Sequence, residues 1–278
     1  MRGRCEGRRG RVTGGGPVRD LMTDLAPRLS LVIPAFNEER RIEASVKQVG
    51  DLLSGLGYET EVIVVDDGSA EAGRLAAERA VESLPAPVGR TLLRHTRNRG
   101  KGAAVRSGCL AARGAYVAFI DADLATPPAD LQGLVAALDA GADVAVGVRT
   151  QADGTDMRDQ RALARRLAGR LFALLMRRFL LPDIGDSQCP LKAFRRDAAQ
   201  RLFRLQRVET WAFDAELLYL ASRLGLSIAK VPVRWHAVPG SHLRLNLRSA
   251  LEVWNLLRIR WHHRGVSPAR LAEVGHGV

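Results

Sequence analysis

Short apolar runs that alternate with helical segments restrict the fold of this chain more than any other feature of its sequence. Leu29–Pro34 and Glu61–Val65 are apolar runs of strand length, and the segments that follow them carry apolar residues at helical spacing. Strands that alternate with helices of about 10–15 residues build βαβ units, which form parallel sheets. The sequence therefore predicts an α/β fold with a mostly parallel sheet flanked by helices. The other predicted strands are Thr91–Arg94, Ala115–Ile120, Asp143–Val148 and Ile228–Val233.

The predicted helices divide the chain into two halves. Single helices separate the strands up to residue 150, and helical segments predominate beyond it. We expect one catalytic domain whose halves are residues 29–150 and 151–264. We expect disordered tails at residues 1–28 and 265–278. The predicted helices are Glu39–Leu56, Ala70–Leu84, Gly102–Arg113, a helix after Pro128, Arg158–Leu181, Phe194–Leu205, Ala212–Leu224 and Ser249–Arg260.

An excess of basic residues indicates an anionic partner. The formal net charge is +12, which suits nucleic acid, anionic lipid or a phosphorylated substrate. No run of about 18 apolar residues is present, so the sequence predicts no transmembrane helix. The N-terminal segment lacks the apolar core of a signal peptide. Together with three cysteines (Cys5, Cys109 and Cys189), which favour a reducing compartment, these features predict a cytoplasmic protein.

Polar clusters follow three of the predicted strands. They are Pro34–Glu39, Asp66–Ser69 and Asp121–Asp123. Any one of them alone is typical of a turn, because Asp and Ser cap helices and Gly accepts a positive φ. Three such clusters at the carboxyl ends of parallel strands would place several carboxylates on one rim of the sheet, where ligands bind in folds of this kind. Their mutual repulsion then calls for a cation or for bound donors.

The spacing of Asp121 and Asp123 suits one hard cation. Mg²⁺ or Mn²⁺ prefers carboxylate and phosphate oxygens, and such an ion would neutralise a diphosphate leaving group. Asp66 and Asp67 are candidates for hydrogen bonds to a base or ribose. Neither a G-x-G-x-x-G fingerprint after the first strand nor a P-loop is present, which argues against a dinucleotide cofactor and a P-loop nucleotidase.

Seven motifs, in order, make the chain resemble a known family. P-A-F-N-E-E, V-V-D-D-G-S, N-R-G-K-G-A-A-V-R-S-G and D-A-D-L are similar to the motifs of family-2 glycosyltransferases with the GT-A fold. The downstream segments resemble the dolichyl-phosphate β-glucosyltransferase branch, and the whole match runs from Leu29 to Arg264. Those segments are Asp186–Phe194, Val208–Tyr219 and Val231–His242.

Three positions depart from related patterns. Polyprenyl-phosphate mannosyltransferases usually continue the aspartate loop as D-A-D-L-Q-H-P-P, whereas this chain has Ala125 and Thr126 after Leu124. This difference favours the glucosyl branch and removes a glutamine that could contact the metal. Pro190 replaces the usual glycine and His242 the usual lysine, and both lie on the acceptor side.

The resemblance implies a nucleotide-sugar transferase and assigns roles to particular residues. Asp121 and Asp123 would bind the metal ion, Mg²⁺ or Mn²⁺, and the donor diphosphate. The implied nucleotide-sugar residues are Pro34, Asn37, Glu38, Asp67, Lys101, Asp121 and Gln188. The implied acceptor-phosphate residues are Arg149, Arg161, Arg165 and Lys192, within a helical basic acceptor region.

Several of these residues also have a purely structural explanation. Arg161 and Arg165, four residues apart, share a helix face that could be a solvated surface or a phosphate site. Lys101 could approach a phosphate between its flanking glycines or remain a solvated loop lysine. Asp214 is the implied catalytic residue, either as a base or as an orienting group. A phosphate acceptor has a second pKa of about 6 and needs little deprotonation at neutral pH.

The expected reaction is inverting transfer of a hexose, glucose from UDP-glucose by resemblance, to a dolichyl or polyprenyl monophosphate. The expected partners are this donor, this acceptor and the inner surface of the membrane, to which the protein would bind peripherally. Nucleic acid is not an expected partner. Two alternatives keep the fold: transfer to a soluble acceptor, and transfer of mannose from GDP-mannose. A third is a basic nucleic-acid-binding module, although the chain lacks a zinc pattern and basic motifs interleaved with aromatic residues.

Overall fold

The computed structural model describes residues 26–149, 189–236 and 258–266. They form a seven-stranded sheet with the order β3-β2-β1-β4-β6-β5-β7. The strands are β1 (Leu29–Ala35), β2 (Thr60–Asp66), β3 (Gly89–Arg94), β4 (Tyr116–Phe119), β5 (Val144–Val148), β6 (Lys192–Arg195) and β7 (Ile228–Pro232). The helices are α1 (Ile42–Ser54), α2 (Glu71–Glu82), α3 (Lys101–Ala111), α4 (Leu131–Asp139), α5 (Arg196–Leu205) and α6 (Phe213–Arg223), with a 3₁₀ turn at Pro128–Asp130.

The centre of the sheet is parallel, as the apolar runs predict. β1 pairs with β2 on one side and β4 on the other, and β2 pairs with β3, each in parallel register. β2 is buried at every position, because helices cover both faces of the sheet. The register places Ala35 opposite Asp66, so the polar segments after β1 and β2 begin at the same edge.

A strand that the sequence reading missed makes the sheet mixed. β6 lies between β4 and β5 and is antiparallel to both. The predicted helix Phe194–Leu205 is therefore wrong at its start, since Phe194 and Arg195 belong to β6 and α5 begins at Arg196. β6 has only four residues, of which Lys192, Ala193 and Phe194 are buried, so it shows neither an apolar run nor a clean alternation.

Two apolar clusters cover the two faces of the sheet. One joins β1 to α1, α2 and α4, and the other joins it to α3, α5 and α6. On the second face, Gly108 lets α3 lie directly on β1, because a Cβ there would meet the side chain of Val32. Phe119 of β4 packs 5.7 Å from Phe213 of α6, measured between ring centroids. The core thus joins residues from both predicted halves of the chain.

Other predicted elements agree with the structure to within a few residues. Some predictions fall outside the described residues: the helix Arg158–Leu181, most of Ser249–Arg260, and most of the two tails. Residues 258–262, at the end of the second of these predicted helices, are helical. Arg28, the last residue of the predicted N-terminal tail, donates a backbone hydrogen bond to Glu59. Within the described residues, none of the helices combines the length and apolar character that crossing a bilayer requires.

Candidate active site

The loops after β1 and β2 hold each other in place. The backbone N–H of Asn37 donates to Ser69 Oγ at 2.9 Å, and Asn37 Oδ1 accepts from the N–H of Ala70 at 2.9 Å. Asn37 has a positive φ of 54°, a conformation that asparagine tolerates better than most residues. The Asn37 side chain therefore supports the start of α2, and Pro34 lies half-buried at the end of β1.

Asp67 organises the segment that leads into α3. Its buried carboxylate accepts the backbone N–H groups of Arg99 at 3.0 Å and Gly100 at 2.7 Å. His95 Nδ1 lies 2.6 Å from the same carboxylate, and His95 Nε2 lies 2.9 Å from Ser107 Oγ. Asp67 thus fixes the backbone beside Lys101. The sequence reading missed His95, although its position just after β3 places it at the ligand-binding edge.

Lys101 joins two acidic side chains at the start of α3. Its Nζ lies 2.6 Å from Asp121 Oδ1 and 4.9 Å from the centroid of the Trp211 ring. Burial lowers the pKa of Lys101, but the carboxylates of Asp121 and Asp214 outweigh burial and raise it above its ordinary value. The ammonium group is therefore held charged next to the aspartate loop. Trp211, whose side chain is largely exposed, is a further residue of the site.

Asp121, Asp123 and Glu38 share one electrostatic environment. Burial raises the pKa of Asp123, and the neighbouring Asp121 raises it further. Burial also raises the pKa of Glu38; Arg41, 2.8 Å away, opposes this, and Asp123 and Asp121 add to it. These influences come from the loops after β1 and β4, so side chains from two of the three predicted polar clusters lie close together; we call this group the acidic rim. Its repulsion is of the kind that a bound cation would relieve.

The donor set at this rim fits a divalent cation. Carboxylate oxygens are the ligands that Mg²⁺ and Mn²⁺ prefer, and Asp121 and Asp123 supply two such groups from one loop. In the described part of the chain, no three His, Cys, Asp or Glu side chains are grouped so as to hold a metal ion. Two carboxylates would leave coordination positions for phosphate oxygens and water, as Mg²⁺ sites commonly do.

Asp214 and Lys192 form a buried ion pair at the same edge of the sheet. Lys192 Nζ donates to Asp214 Oδ1 at 2.6 Å and to the backbone oxygen of Cys189 at 2.7 Å. Both side chains are almost fully buried. Burial raises the pKa of Asp214, although Lys192 and Lys101 lower it. Lys192, expected to bind the acceptor phosphate, is instead paired inside the protein, and Cys189 is also buried.

The end of β5 and the segment after β7 border the aspartate loop. The backbone N–H of His236 donates to the Ala125 oxygen at 2.9 Å. Arg149 follows β5 and is buried, with its guanidinium carbon 5.8 Å from the centroid of the Trp235 ring. The structure thus places Arg149 within the sheet edge that carries the acidic rim. Gln188, Arg161 and Arg165 lie outside the described residues.

The mostly parallel sheet with flanking helices is the GT-A fold, and solved structures share it. Glucosyl-3-phosphoglycerate synthase from Mycobacterium tuberculosis in complex with UDP superposes with a TM-score of 0.60 at 24% identity, covering 85% of this chain and 80% of that one. The same enzyme in complex with Mn²⁺, UDP and phosphoglyceric acid gives a TM-score of 0.57 at 23% identity, covering 86% and 79%.

Sequence comparison establishes the family. Residues 30–203 match the glycosyl transferase family 2 profile, and the chain belongs to that family. Proteins named dolichyl-phosphate beta-glucosyltransferase are similar over most of their length. The Drosophila melanogaster protein is 38% identical, covering 88% of this chain and 78% of its own. Those of Dictyostelium discoideum and Saccharomyces cerevisiae are each 32% identical, covering 84% of this chain and 74% of their own. The chain is therefore a glycosyltransferase.

Proposed function

We propose that this enzyme transfers glucose from UDP-glucose to a dolichyl or other polyprenyl monophosphate with inversion at the anomeric carbon. The observation that carries the proposal is the similarity, at 32–38% identity over most of the chain, to proteins named for that activity. The rim formed by Glu38, Asp121 and Asp123 supports it, because a nucleotide-sugar donor needs its diphosphate charge neutralised.

On the donor side, Asp121 and Asp123 would hold Mg²⁺ or Mn²⁺. Such an ion stabilises negative charge on a departing diphosphate. Lys101, held charged beside Asp121, adds a second positive group at the same place. Asp67 acts by fixing the backbone at Gly100, next to Lys101. Further proposed donor contacts are Pro34, Asn37, Glu38 and Gln188.

On the acceptor side, no proton needs to be removed. An oxygen of the lipid phosphate dianion bonds to the anomeric carbon as the bond from that carbon to the UDP oxygen breaks. The total charge is unchanged, since the acceptor phosphate goes from −2 to −1 and UDP leaves with one more negative charge. Asp214 therefore serves to orient Lys192 and Lys101 rather than to act as a base. The proposed phosphate contacts are Arg149, Arg161 and Arg165. Lys192 would add positive charge from its buried position without contacting the phosphate.

We further propose that the enzyme works at the cytoplasmic surface of a membrane as a peripheral protein. A lipid-linked acceptor is reached only at a membrane surface. The net charge of +12 favours anionic lipid, at about 1 kcal/mol for each basic residue near the surface.

The test is incubation of the purified chain with radiolabelled UDP-glucose, polyprenyl phosphate and Mn²⁺ in detergent. The expected product is a labelled lipid, whose formation EDTA abolishes. GDP-mannose replaces UDP-glucose in a second arm, and 3-phosphoglycerate replaces the lipid in a third. Labelled lipid only from GDP-mannose would overturn the donor assignment, and labelled product only from 3-phosphoglycerate would overturn the acceptor assignment.

A further inference from the structure

A cavity of about 450 Å³ lies between α3, the end of α5 and the segment 258–266, apart from the acidic rim. Its lining is rich in cationic side chains, and we call it the basic cavity. The side chains that matter here are Arg106, Arg204, Arg207, His262, Gln206 and His263.

Within the described residues, the arginines of the basic cavity form no ion pair with a carboxylate. Arg106 Nε donates to the backbone oxygen of Phe203 at 2.8 Å. Within the described ranges, no carboxylate forms an ion pair with Arg106, Arg204 or Arg207. In the part of the chain that the structure describes, three guanidinium groups on one cavity therefore have no anionic partner, which is an arrangement that attracts anions.

Glu216, a carboxylate next to this cavity, is already occupied by other groups. Glu216 is fully buried and accepts the backbone N–H groups of Arg207 and Val208, at 3.0 and 2.8 Å. Its Oε1 also lies 2.6 Å from His263 Nε2. Glu216 thus fixes the backbone of the loop that carries Arg207, an exposed residue that lines the cavity.

The neighbouring histidine reports the same excess of positive charge. Burial lowers the pKa of His262, and Arg258, Arg207 and His263 lower it further, against a weaker opposing effect of Glu216. The cavity is therefore positive even where His262 is neutral.

We propose that the basic cavity is a second binding site, which takes a phosphate-bearing ligand. Guanidinium groups bind phosphate oxygens with paired hydrogen bonds. The volume lies within the range of small-molecule sites and leaves room for a phosphate with an attached group. The ligand is either a phospholipid headgroup or a soluble phosphorylated molecule, which present the same chemistry.

Gln206, which lines the cavity, joins the end of α5 to the start of α3. Gln206 Nε2 donates to the backbone oxygens of Gly102 at 3.0 Å and Val208 at 2.8 Å. The rim presents carboxylates and needs a cation before it can accept phosphate, whereas the basic cavity needs none. Binding in the presence of EDTA therefore distinguishes the cavity from the metal-dependent donor site, whether or not the proposed glucosyl transfer is correct. Variants of the cavity arginines distinguish it from the proposed acceptor-phosphate residues, which also need no cation.

The experiment uses the full chain in EDTA and two probes. Calorimetric titration with inorganic pyrophosphate tests the soluble source. Flotation tests the lipid source, with vesicles of phosphatidylcholine alone or of phosphatidylcholine with about one third phosphatidic acid. We expect the Arg204→Gln/Arg207→Gln variant to bind the preferred probe at least about tenfold more weakly, since a hydrogen bond to a charged group contributes about that much.

The matched control is Arg90→Gln/Arg201→Gln, which removes the same charge from exposed positions outside the cavity. It should bind within about twofold of the unaltered chain, because only general charge is lost. His262→Ala is a second cavity variant, and it should also bind the preferred probe more weakly. Binding by neither probe, or equal weakening in the cavity and control variants, would overturn the proposal. Selective weakening in one arm supports it and identifies the source of the phosphate.

Discussion

At the residue scale, the proposed active site is a series of alternating charges. Lys101 lies between Asp121 and Asp214, and Lys192 neutralises Asp214 from the other side. Buried charges are stable only when a group of opposite charge lies beside them, because removing one partner leaves the other without compensation. Each member can therefore be tested by whether its loss affects stability, turnover or both.

Asp123 should lower stability while supporting turnover. Its pKa is raised above the ordinary 3.8 by burial and by Asp121. Ionised Asp123 therefore costs folding free energy above its folded-state pKa, and the cost disappears as the pH falls below 3.8. Asp123→Asn should raise the melting temperature of the metal-free protein at pH 7 but not at pH 3.5. Glucosyl transfer should fall by about 10²–10³-fold or more, because charge stabilisation at the diphosphate is lost.

The control for this variant is Asp51→Asn, which alters an exposed carboxylate paired with Lys47. It should change neither the transfer rate nor the melting temperature appreciably. Thermal shift with UDP and Mn²⁺ adds a second readout, since the ligands should stabilise the unaltered chain and leave Asp123→Asn unchanged. Full activity in Asp123→Asn would refute the metal role.

Asp214 should prove to be a positioning residue. Asp214→Asn leaves Lys192 buried without its counter-charge, so unfolding in urea should require about 3–5 kcal/mol less. Turnover should fall, yet the acidic limb of the pH–rate profile should persist near pH 6, where the acceptor phosphate itself titrates. Disappearance of that limb in the variant would instead identify Asp214 as the base.

The sequence predicted well which residues lie together at the rim. It predicted less well which groups those residues contact. Motif order and strand ends were sufficient to place Glu38, Asp121 and Asp123 together. Asp67 was expected to meet the nucleotide, but its carboxylate is bound by His95 and by the backbone of residues 99 and 100. Those donors follow β3, and the pairing register of β2 with β3 brings them beside Asp67. The sequence alone does not show that register.

At the scale of elements, the long apolar strands were predictable and the short mixed one was not. β1 and β2 are continuous apolar runs bounded by polar segments. β6 contains Lys192, which is buried only because Asp214 of α6 neutralises it, 22 residues further along. A local pattern cannot reveal a strand whose burial depends on a distant partner, and so its Phe194 was assigned to the following helix.

The junction of α3 with the loop after α5 should be intolerant of added volume. A Cβ on Gly102 would lie 2.7 Å from the Val208 oxygen and 2.8 Å from Phe213 Cβ. Gly102→Ala must therefore displace the start of α3, together with Lys101. We expect about a 10²-fold loss of turnover and a loss of about 1–3 kcal/mol in the free energy of unfolding.

Gly133→Ala is the matched control for Gly102→Ala, because it also adds one methyl group to a helical glycine. Its Cβ would meet only the Val231 side chain, at 3.1 Å, and Gly133 is exposed. Turnover should be unchanged, and the better helix propensity of alanine should offset the contact to within about 1 kcal/mol. Equal losses of turnover in both variants would show that close approach at Gly102 is not what positions Lys101.

At the scale of the whole molecule, the two predicted halves of the chain are interleaved. β6, from the second half, lies between β4 and β5 of the first. Among the strands that the structure describes, β5 pairs only with β6 and β7, both of which follow residue 150. α5 and α6 cover the face of the sheet to which Phe119 contributes. The folding unit therefore needs residues from both predicted halves.

A fragment of residues 1–150 should accordingly fail to fold as a unit. It would leave β5 without either of its partners and would expose the apolar face that α5 and α6 cover. Burial of that face is the main favourable contribution to folding, so the fragment should lack a cooperative urea transition by circular dichroism. The full chain should unfold in one cooperative transition. A fragment that unfolds cooperatively and binds UDP with Mn²⁺ would show instead that residues 29–150 are an independent nucleotide domain.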